Sequence, residues 1–214
     1  EQPFLRAAWF DQRRVFEDVD DPVRIVAEVI KDLGSVNVGL DMNSYCMPAK
    51  RFQHLKELLP DTGLIDFSDI FRTLRLIKST HEVEVMQIAA RIADETMLRT
   101  IAAAVPGSSS RDAAAIASAA FVELGADFGR SGPITVGRGW NFMHGKLSNE
   151  ALVKGDVLHL ELVPKVSGYC ARLMRPAVMG SPSNELTENA ATLIQLQDAQ
   201  IEAMVPGAIA SDVD

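Results

Sequence analysis

The stretch GDVLHLELVPKVSGYCARLMR, residues 155–175, decides the fold. Leucines alternate with other side chains over 157–163, which predicts a β-strand, and the period-two pattern over 169–178 predicts a second one. The segment between them, 164–168, contains the Pro and Gly that are typical of a turn. The stretch therefore predicts an antiparallel hairpin.

Glu161 and Arg172 are the first candidate site residues on this hairpin. If the turn is centred between residues 166 and 167, the two lie directly opposite each other, because each is five positions from the nearer of these two turn residues. Opposite charges at this cross-strand distance pair. His159 lies two residues before Glu161 and projects from the same face. Spacing alone leaves open whether the pair is a structural salt bridge or part of a catalytic site.

A glycine-rich loop, GRGWNFMHG at 137–145, follows a predicted strand over 134–136 and contains His144. Glycine lets the backbone approach a ligand, and a histidine with its ordinary pKa can move a proton at neutral pH. His144 is therefore a candidate acid and base. Alternatively, Trp140 and Phe142 anchor the loop and His144 is a solvent-facing turn residue.

Helix signals surround the predicted sheet. Ser79, three residues before Glu82, forms a capping box that predicts the start of a long helix, and the Val-Pro-Gly at 105–107 ends it. Further helices are predicted over 110–124 and from 184 to a second Val-Pro-Gly at 205–207. The predicted buried stripe of the long helix consists of Val83, Met86, Ala90, Ala93, Met97 and Ile101.

The first third of the chain alternates helix and strand signals, which is typical of an α/β unit. A helix is predicted to start at Pro22, followed by a strand over 36–40, a helix over 48–59 and a strand over 63–67. Composition changes over 68–79, where a basic segment leads into the long helix. We therefore expect two domains, residues 1–69 and 70–214.

Composition limits the classes of partner. With 47% hydrophobic and 23% charged residues, the 214-residue chain is that of an ordinary globular protein. Its net charge of -8 opposes binding to nucleic acid or anionic membranes. Two cysteines, no secretory signature and no long apolar span predict a cytoplasmic protein without a disulfide framework. The missing initial Met suggests that the chain is cut from a longer protein.

In these residues the chain resembles the pita-bread family of creatinases, Xaa-Pro aminopeptidases and prolidases. The resemblance spans about residues 70–207, and 9–69 resembles the later half of the family's N-terminal domain. It implies an α+β fold, an incomplete pita-bread catalytic domain after part of an α/β N-terminal domain, and a homodimer. The motifs that carry it are LRLIKS at 74–79, PGS at 106–108, the His144 loop, GDVL at 155–158, Gly168-Tyr169, and Arg175 ahead of Gly180.

One departure from the family concerns its metals. In the family's peptidases, two Asp residues on the hairpin, a later His and two later Glu residues hold a pair of divalent metals. Here the two Asp positions are Glu161 and Arg172. A guanidinium is cationic and has no lone pair for a metal. The resemblance is therefore closest to the metal-free creatinases and ectoine hydrolases, which implies that no metal cofactor is needed.

That branch implies hydrolysis of a C–N bond in a small polar substrate. Its position in the motif makes His144 the acid and base, and the substrate-binding residues implied are Glu161, Arg172, Tyr169 and Arg175. Family members continue for about another 150 residues that supply further site residues, so we expect this stretch alone to be inactive.

Two alternatives remain open at this stage. One is a metal-dependent Xaa-Pro aminopeptidase or dipeptidase, in which Glu161 still coordinates a divalent metal such as manganese. The other is a catalytically dead pita-bread domain that binds a peptide or a partner protein. Under both enzymatic interpretations the partner is a small-molecule or dipeptide substrate.

Overall fold

The structure, a computed structural model, describes residues 11, 13–137 and 145–214. The chain divides into two compact units, one ending at Lys78 and the other spanning Ser79–Asp214. The sequence places the boundary at 69/70, whereas the short helix Asp69–Leu74 belongs to the first unit.

The first unit is a βαβ arrangement with flanking helices. Strands β1 (Asn37–Leu40) and β2 (Gly63–Asp66) pair in parallel, with Asn37 beside Gly63, and a helix connects them, as is typical of parallel pairing. Its small core consists of Ala27, Ile30, Leu55 and Leu59. Its elements are α1 (Pro22–Asp32), β1 (Asn37–Leu40), α2 (Ala49–Leu58), β2 (Gly63–Asp66) and α3 (Asp69–Leu74).

The second unit packs two long helices on an antiparallel sheet. The sheet is centred on β4 (Val157–Val166). This strand pairs with β3 (Phe128–Gly137) on one side and with β5 (Tyr169–Cys170) and β6 (Leu173–Val178) on the other. Its elements are α4 (Thr80–Ala103), α5 (Ser110–Glu123), β3 (Phe128–Gly137), β4 (Val157–Val166), β5 (Tyr169–Cys170), β6 (Leu173–Val178), α6 (Asn184–Ala203) and α7 (Ala210–Val213).

The predicted capping box at the start of α4 is confirmed. The Ser79 side chain accepts a hydrogen bond from the Glu82 backbone N–H, and the Glu82 carboxylate accepts one from the Ser79 N–H at 2.7 Å. Helix α5 begins in the same way, with Ser109 and Asp112. In both helices the reciprocal bonds satisfy backbone donors that a first turn leaves without helical partners.

The buried face of α4 differs from the predicted stripe. Ala93 and Met97 are buried, but Val83 is 41% exposed. Two threonines, Thr96 and Thr100, are fully buried instead. Val85, Ala89 and Ile92 are buried as well, so the buried face is rotated by about one residue relative to the predicted stripe. The Thr100 hydroxyl is satisfied within the helix, because it donates to the Thr96 carbonyl.

The sheet has two chemically different faces. Leu158, Leu160 and Leu162 of β4 are fully buried on the helix face, towards α4 and α5. Because side chains alternate along a strand, His159 and Glu161 project from the other side, which we call the open face. The open face also carries Arg130, Thr135 and Met174 through strand pairing, and Arg172 through its contact with Glu161.

Thr96 provides a test of the core. Within the described part of the chain its hydroxyl is fully buried and makes no hydrogen bond. Because a buried polar group without a partner costs about 1–3 kcal/mol, we expect Thr96→Val to raise the free energy of unfolding by about 1 kcal/mol in urea titrations. Thr100→Val, which removes the 2.7 Å bond to the Thr96 carbonyl, is the matched control and should lower it. A loss of stability in Thr96→Val would contradict the account.

Helix α6 begins at the predicted position, where the Ser183 side chain accepts a hydrogen bond from the Leu186 N–H at 3.2 Å. Its apolar side chains are exposed, with Leu193 at 60% and Ile201 at 58%. Exposed apolar residues could indicate a membrane-spanning helix. Within the described ranges, however, no helix is both long enough and apolar enough to cross a membrane.

Candidate functional site

The hairpin turn lies one residue later than predicted. Its two central residues are Ser167 and Gly168, because Val166 pairs with Tyr169. Both have positive φ, 46° and 88°, and a two-residue turn of this kind needs positive φ at both positions, which glycine adopts at no steric cost. Glu161 is therefore opposite Met174, and the predicted register is wrong.

The ion pair between Glu161 and Arg172 forms nonetheless. Arg172 lies in the break between β5 and β6, diagonal to Glu161, and its Nε donates to Glu161 Oε1 at 2.9 Å. The Glu161 side chain is 4% exposed, whereas that of Arg172 is 60% exposed. A carboxylate this deeply buried requires a charged or hydrogen-bonding partner. Arg172 supplies that partner from the outer side.

A second arginine, Arg130, reaches the same carboxylate. Its Nη2 lies 4.0 Å from Glu161 Oε1, and its side chain is 70% exposed. Sequence reasoning missed it, because Arg130 reaches Glu161 only through the β3–β4 pairing, in which a bulge lies between Ser131 and Ile134. Bulges redirect side chains and often lie next to functional sites.

The catalytic candidate His144 lies outside the described residues. The next residue, Gly145, is described and approaches the sheet closely, since a Cβ added there would lie 3.0 Å from Thr135 Cγ2. Thr135 pairs with His159 on the open face. The backbone at Gly145 thus lies against the face that carries Glu161.

The segment after Gly145 is fixed to the start of α5. The Ser148 N–H donates to Ser110 Oγ at 2.8 Å, and the Arg111 N–H donates to the Ser148 carbonyl at 3.2 Å. Arg111 Nε also donates to Asn149 Oδ1 at 2.7 Å. The capped first turn of α5 therefore anchors the chain that returns from the glycine-rich loop.

The cap of α5 makes this anchor sensitive to acid. Hydrogen bonds from the Ser109 side chain and backbone, at 2.7 and 2.8 Å, hold the pKa of Asp112 below its ordinary value of 3.8. A lowered pKa means that the carboxylate stabilises the fold above pH 3.8 and loses that contribution as pH falls through the lowered pKa.

We expect Asp112→Asn to be less stable than the wild type at pH 6, with the difference shrinking as pH falls below 3.8. Urea unfolding of both proteins across this range measures the effect. Asp94→Asn, at a carboxylate on the exposed side of α4, is the control. A difference that stays constant over the whole pH range would contradict the assignment.

Tyr169 is not brought to the open face. Its hydroxyl donates a hydrogen bond to Glu82 Oε1, while the other oxygen of Glu82 completes the capping box at Ser79. Tyr169 pairs with Val166 on the helix face of β4. Its observed contact therefore fastens the hairpin tip to the start of α4.

Arg175 also lies apart from Glu161. It pairs with Leu160, whose side chain faces the helices, and its Nη1 donates to the Met174 carbonyl at 2.7 Å. Arg172 and Arg175 thus belong to opposite faces, as their spacing predicts. Of the predicted substrate-binding residues, the structure brings together Glu161 and Arg172.

The donor set of the hairpin does not fit a pair of divalent metals. Arg172 stands at one of the two hairpin positions where the resemblance implies a metal ligand, and a guanidinium has no lone pair to give a metal. Its Nε also donates a hydrogen bond to Oε1 of Glu161, the residue at the other position. Within residues 13–137 and 145–214, no three His, Cys, Asp or Glu side chains converge as metal ligands. The hairpin side chains therefore do not supply the ligand set of a two-metal site.

Two helices on one face of an antiparallel sheet, with charged residues on the other face, match the pita-bread fold. Solved structures share this fold: the prolidase of Pyrococcus horikoshii OT3 matches with a TM-score of 0.78 at 24% identity, over 88% of this chain and 54% of that one. The X-Pro aminopeptidase of Thermotoga maritima MSB8 also has a TM-score of 0.78, at 21% identity, over 93% and 54% of the two chains.

The chain belongs to metallopeptidase family M24, whose model matches residues 84–214, and a creatinase/prolidase N-terminal domain matches 4–77. The Xaa-Pro dipeptidase of Pyrococcus furiosus is 27% identical over 68% of this chain and 42% of its own length. The probable dipeptidase PepE of Mycobacterium tuberculosis is 28% identical over 92% and 52%. The chain spans about half the length of these relatives.

These comparisons confirm the family and the fold but do not single out the creatinase and ectoine hydrolase branch. The relatives described above carry the names of peptidases. The family name also includes metal dependence, which conflicts with the metal-free expectation drawn from Arg172. The hairpin geometry and the names of the relatives therefore favour different cofactor requirements.

Proposed function

We propose that this protein hydrolyses a C–N bond in a small, dipeptide-sized substrate. Membership in family M24 and the dipeptidase names of its relatives support a hydrolase of this class. Those names favour a dipeptide over creatine or ectoine as the substrate.

The observation that carries the rest of the proposal is the 2.9 Å bond from Arg172 Nε to the buried Glu161 carboxylate. This bond uses a carboxylate oxygen that a metal ion would need as a ligand. In our proposal Glu161 and Arg172 therefore orient the substrate, a task that metal ions would otherwise perform. Attack by water on an amide carbon requires removal of a proton, and the leaving nitrogen requires one. We assign both transfers to His144, whose neighbour Gly145 lies against the open face.

The test measures whether the purified full-length protein hydrolyses glycyl-L-proline, creatine or ectoine. Each substrate is assayed once with manganese and once with a chelator. We expect turnover of the dipeptide that survives chelation. Turnover of creatine or ectoine alone would overturn the substrate class. Failure to cleave any of the three would favour a domain that only binds ligands.

A second candidate is a metal-dependent Xaa-Pro dipeptidase, favoured by the names of the family and of the relatives. In that enzyme Glu161 would coordinate and Arg172 would have to move away. Bound divalent metal in elemental analysis, together with dipeptide hydrolysis that the chelator abolishes, would establish this function instead.

A further inference from the structure

The β-bulge in β3 turns Arg130 towards the site. Arg130 and Ile134 are four residues apart and would share a face in a regular strand. Ile134 is 1% exposed and pairs with Leu160 on the helix face. The extra residue between Ser131 and Ile134 reverses this alternation, so that Arg130 pairs with Val163 on the open face.

Arg130 and Arg172 give the site an excess of positive charge. Both guanidinium groups approach Oε1 of one carboxylate, that of Glu161, at 4.0 and 2.9 Å. The carboxylate is buried, whereas the two arginine side chains are 70% and 60% exposed. Counted over these three described side chains, two cations face one anion, so one positive charge is left over. Both guanidinium groups are exposed in the part of the chain that the structure describes.

The two arginines are held differently. Arg172 donates from Nε to Glu161 and from Nη2 to the Met174 sulfur at 3.6 Å. Arg130 approaches Glu161 at 4.0 Å with a single terminal nitrogen, and an exposed ion pair at that distance contributes little to stability. A guanidinium has five N–H donors arranged to grip a carboxylate with two parallel bonds. Arg130 is therefore placed to bind an anion rather than to stabilise the sheet.

We propose that Arg130 is a specificity-determining residue that binds the carboxylate of the substrate. The inference rests on the proposed function, because a dipeptide carries one carboxylate at its C-terminal end. Arg130 makes the direct contact with the substrate carboxylate. Arg172, which Glu161 holds in place, adds a second positive charge to the site. The site then selects acids over their neutral amides.

The experiment compares binding of L-proline and L-prolinamide, which differ only in the carboxylate and have no peptide bond to cleave. Isothermal titration is carried out on the full-length protein and on Arg130→Gln and Arg130→Lys. Arg91→Gln, at an exposed arginine of α4, is the matched control. Hydrolysis of glycyl-L-proline is measured on the same samples, because it tests the proposed function separately.

We expect the wild type to prefer L-proline, and Arg130→Gln to weaken L-proline binding by about tenfold to a hundredfold with prolinamide unchanged. Arg130→Lys, which keeps the charge but not the fork, should lose part of the preference. Arg91→Gln should match the wild type. The urea unfolding midpoint of each variant should stay that of the wild type, which excludes a folding defect.

The inference would be overturned if the wild type and Arg130→Gln preferred L-proline over L-prolinamide by the same factor. It would also be overturned if the wild type bound the two ligands equally well. If glycyl-L-proline is cleaved in either case, the proposed function stands without it. If glycyl-L-proline is not cleaved but L-proline binding depends on Arg130, the carboxylate site stands and the proposed function fails.

Discussion

We expect replacing Arg172 by Gln to lower the free energy of unfolding by about 2 kcal/mol, because hydrogen bonds to charged groups contribute about 1.5–3 kcal/mol. The variant leaves the Glu161 carboxylate, with its 4% exposed side chain, without its 2.9 Å partner. Arg130, at 4.0 Å and 70% exposed, compensates only weakly. Urea unfolding followed by circular dichroism measures the loss.

The converse substitution is the control. Glu161→Gln removes the buried charge and keeps a side-chain oxygen that can accept from Arg172 Nε, and the exposed guanidinium is hydrated. We expect it to cost less than about 1 kcal/mol. The double variant should be more stable than Arg172→Gln alone, because it contains no unpaired buried carboxylate. Equal losses in both single variants, or a double variant less stable than either, would contradict the asymmetry.

The second large effect concerns catalysis. If His144 transfers the protons, His144→Ala should lower kcat for glycyl-L-proline by about a hundredfold to ten-thousandfold. L-proline binding should remain near the wild-type value, since the carboxylate contact is assigned to Arg130. Initial rates at saturating substrate, with binding by titration, measure the two quantities separately.

His81→Ala is the matched histidine control, because its side chain is 84% exposed at the start of α4 and its Nδ1 lies 3.7 Å from Glu84 Oε2. It should leave the rate unchanged. A His144→Ala enzyme with the wild-type rate would remove this histidine from the mechanism. A wild-type protein that binds L-proline without cleaving any dipeptide would show that the domain is a binding module.

Local chemistry allowed most of the elements to be predicted. The capping box at Ser79 fixes the start of α4 through two bonds between side chains and backbone N–H groups, so the four residues 79–82 are sufficient to locate it. The alternating leucines of β4 identify the face that packs on the helices. These signals work because the interactions that cause them lie close together in the chain.

Register and bulges were not predictable in the same way. The turn at Ser167 and Gly168 shifts the pairing of Glu161 from Arg172 to Met174, and its position depends on backbone angles at two residues. The bulge after Ser131 depends on how β3 fits β4. Arg130 reaches the site only through that bulge, so no local pattern could place it beside Glu161.

The ion pair was predicted from a wrong register and still forms. Arg172 has a long side chain and lies in a break of the strand, which allows it to reach Glu161 diagonally. Opposite charges tolerate an offset of this size, whereas a packing contact between short side chains would not. The chemistry of the site was therefore more predictable than its geometry.

The claim that the Arg172 guanidinium takes the place of a metal ion beside Glu161 is tested most directly by a crystal structure of the full-length protein, from crystals grown with manganese. The account predicts that Arg172 Nε stays within hydrogen-bonding distance of Glu161 Oε1, with no anomalous manganese peak at coordination distance from that carboxylate. A manganese ion bound to Glu161, with the Arg172 side chain turned away, would contradict it.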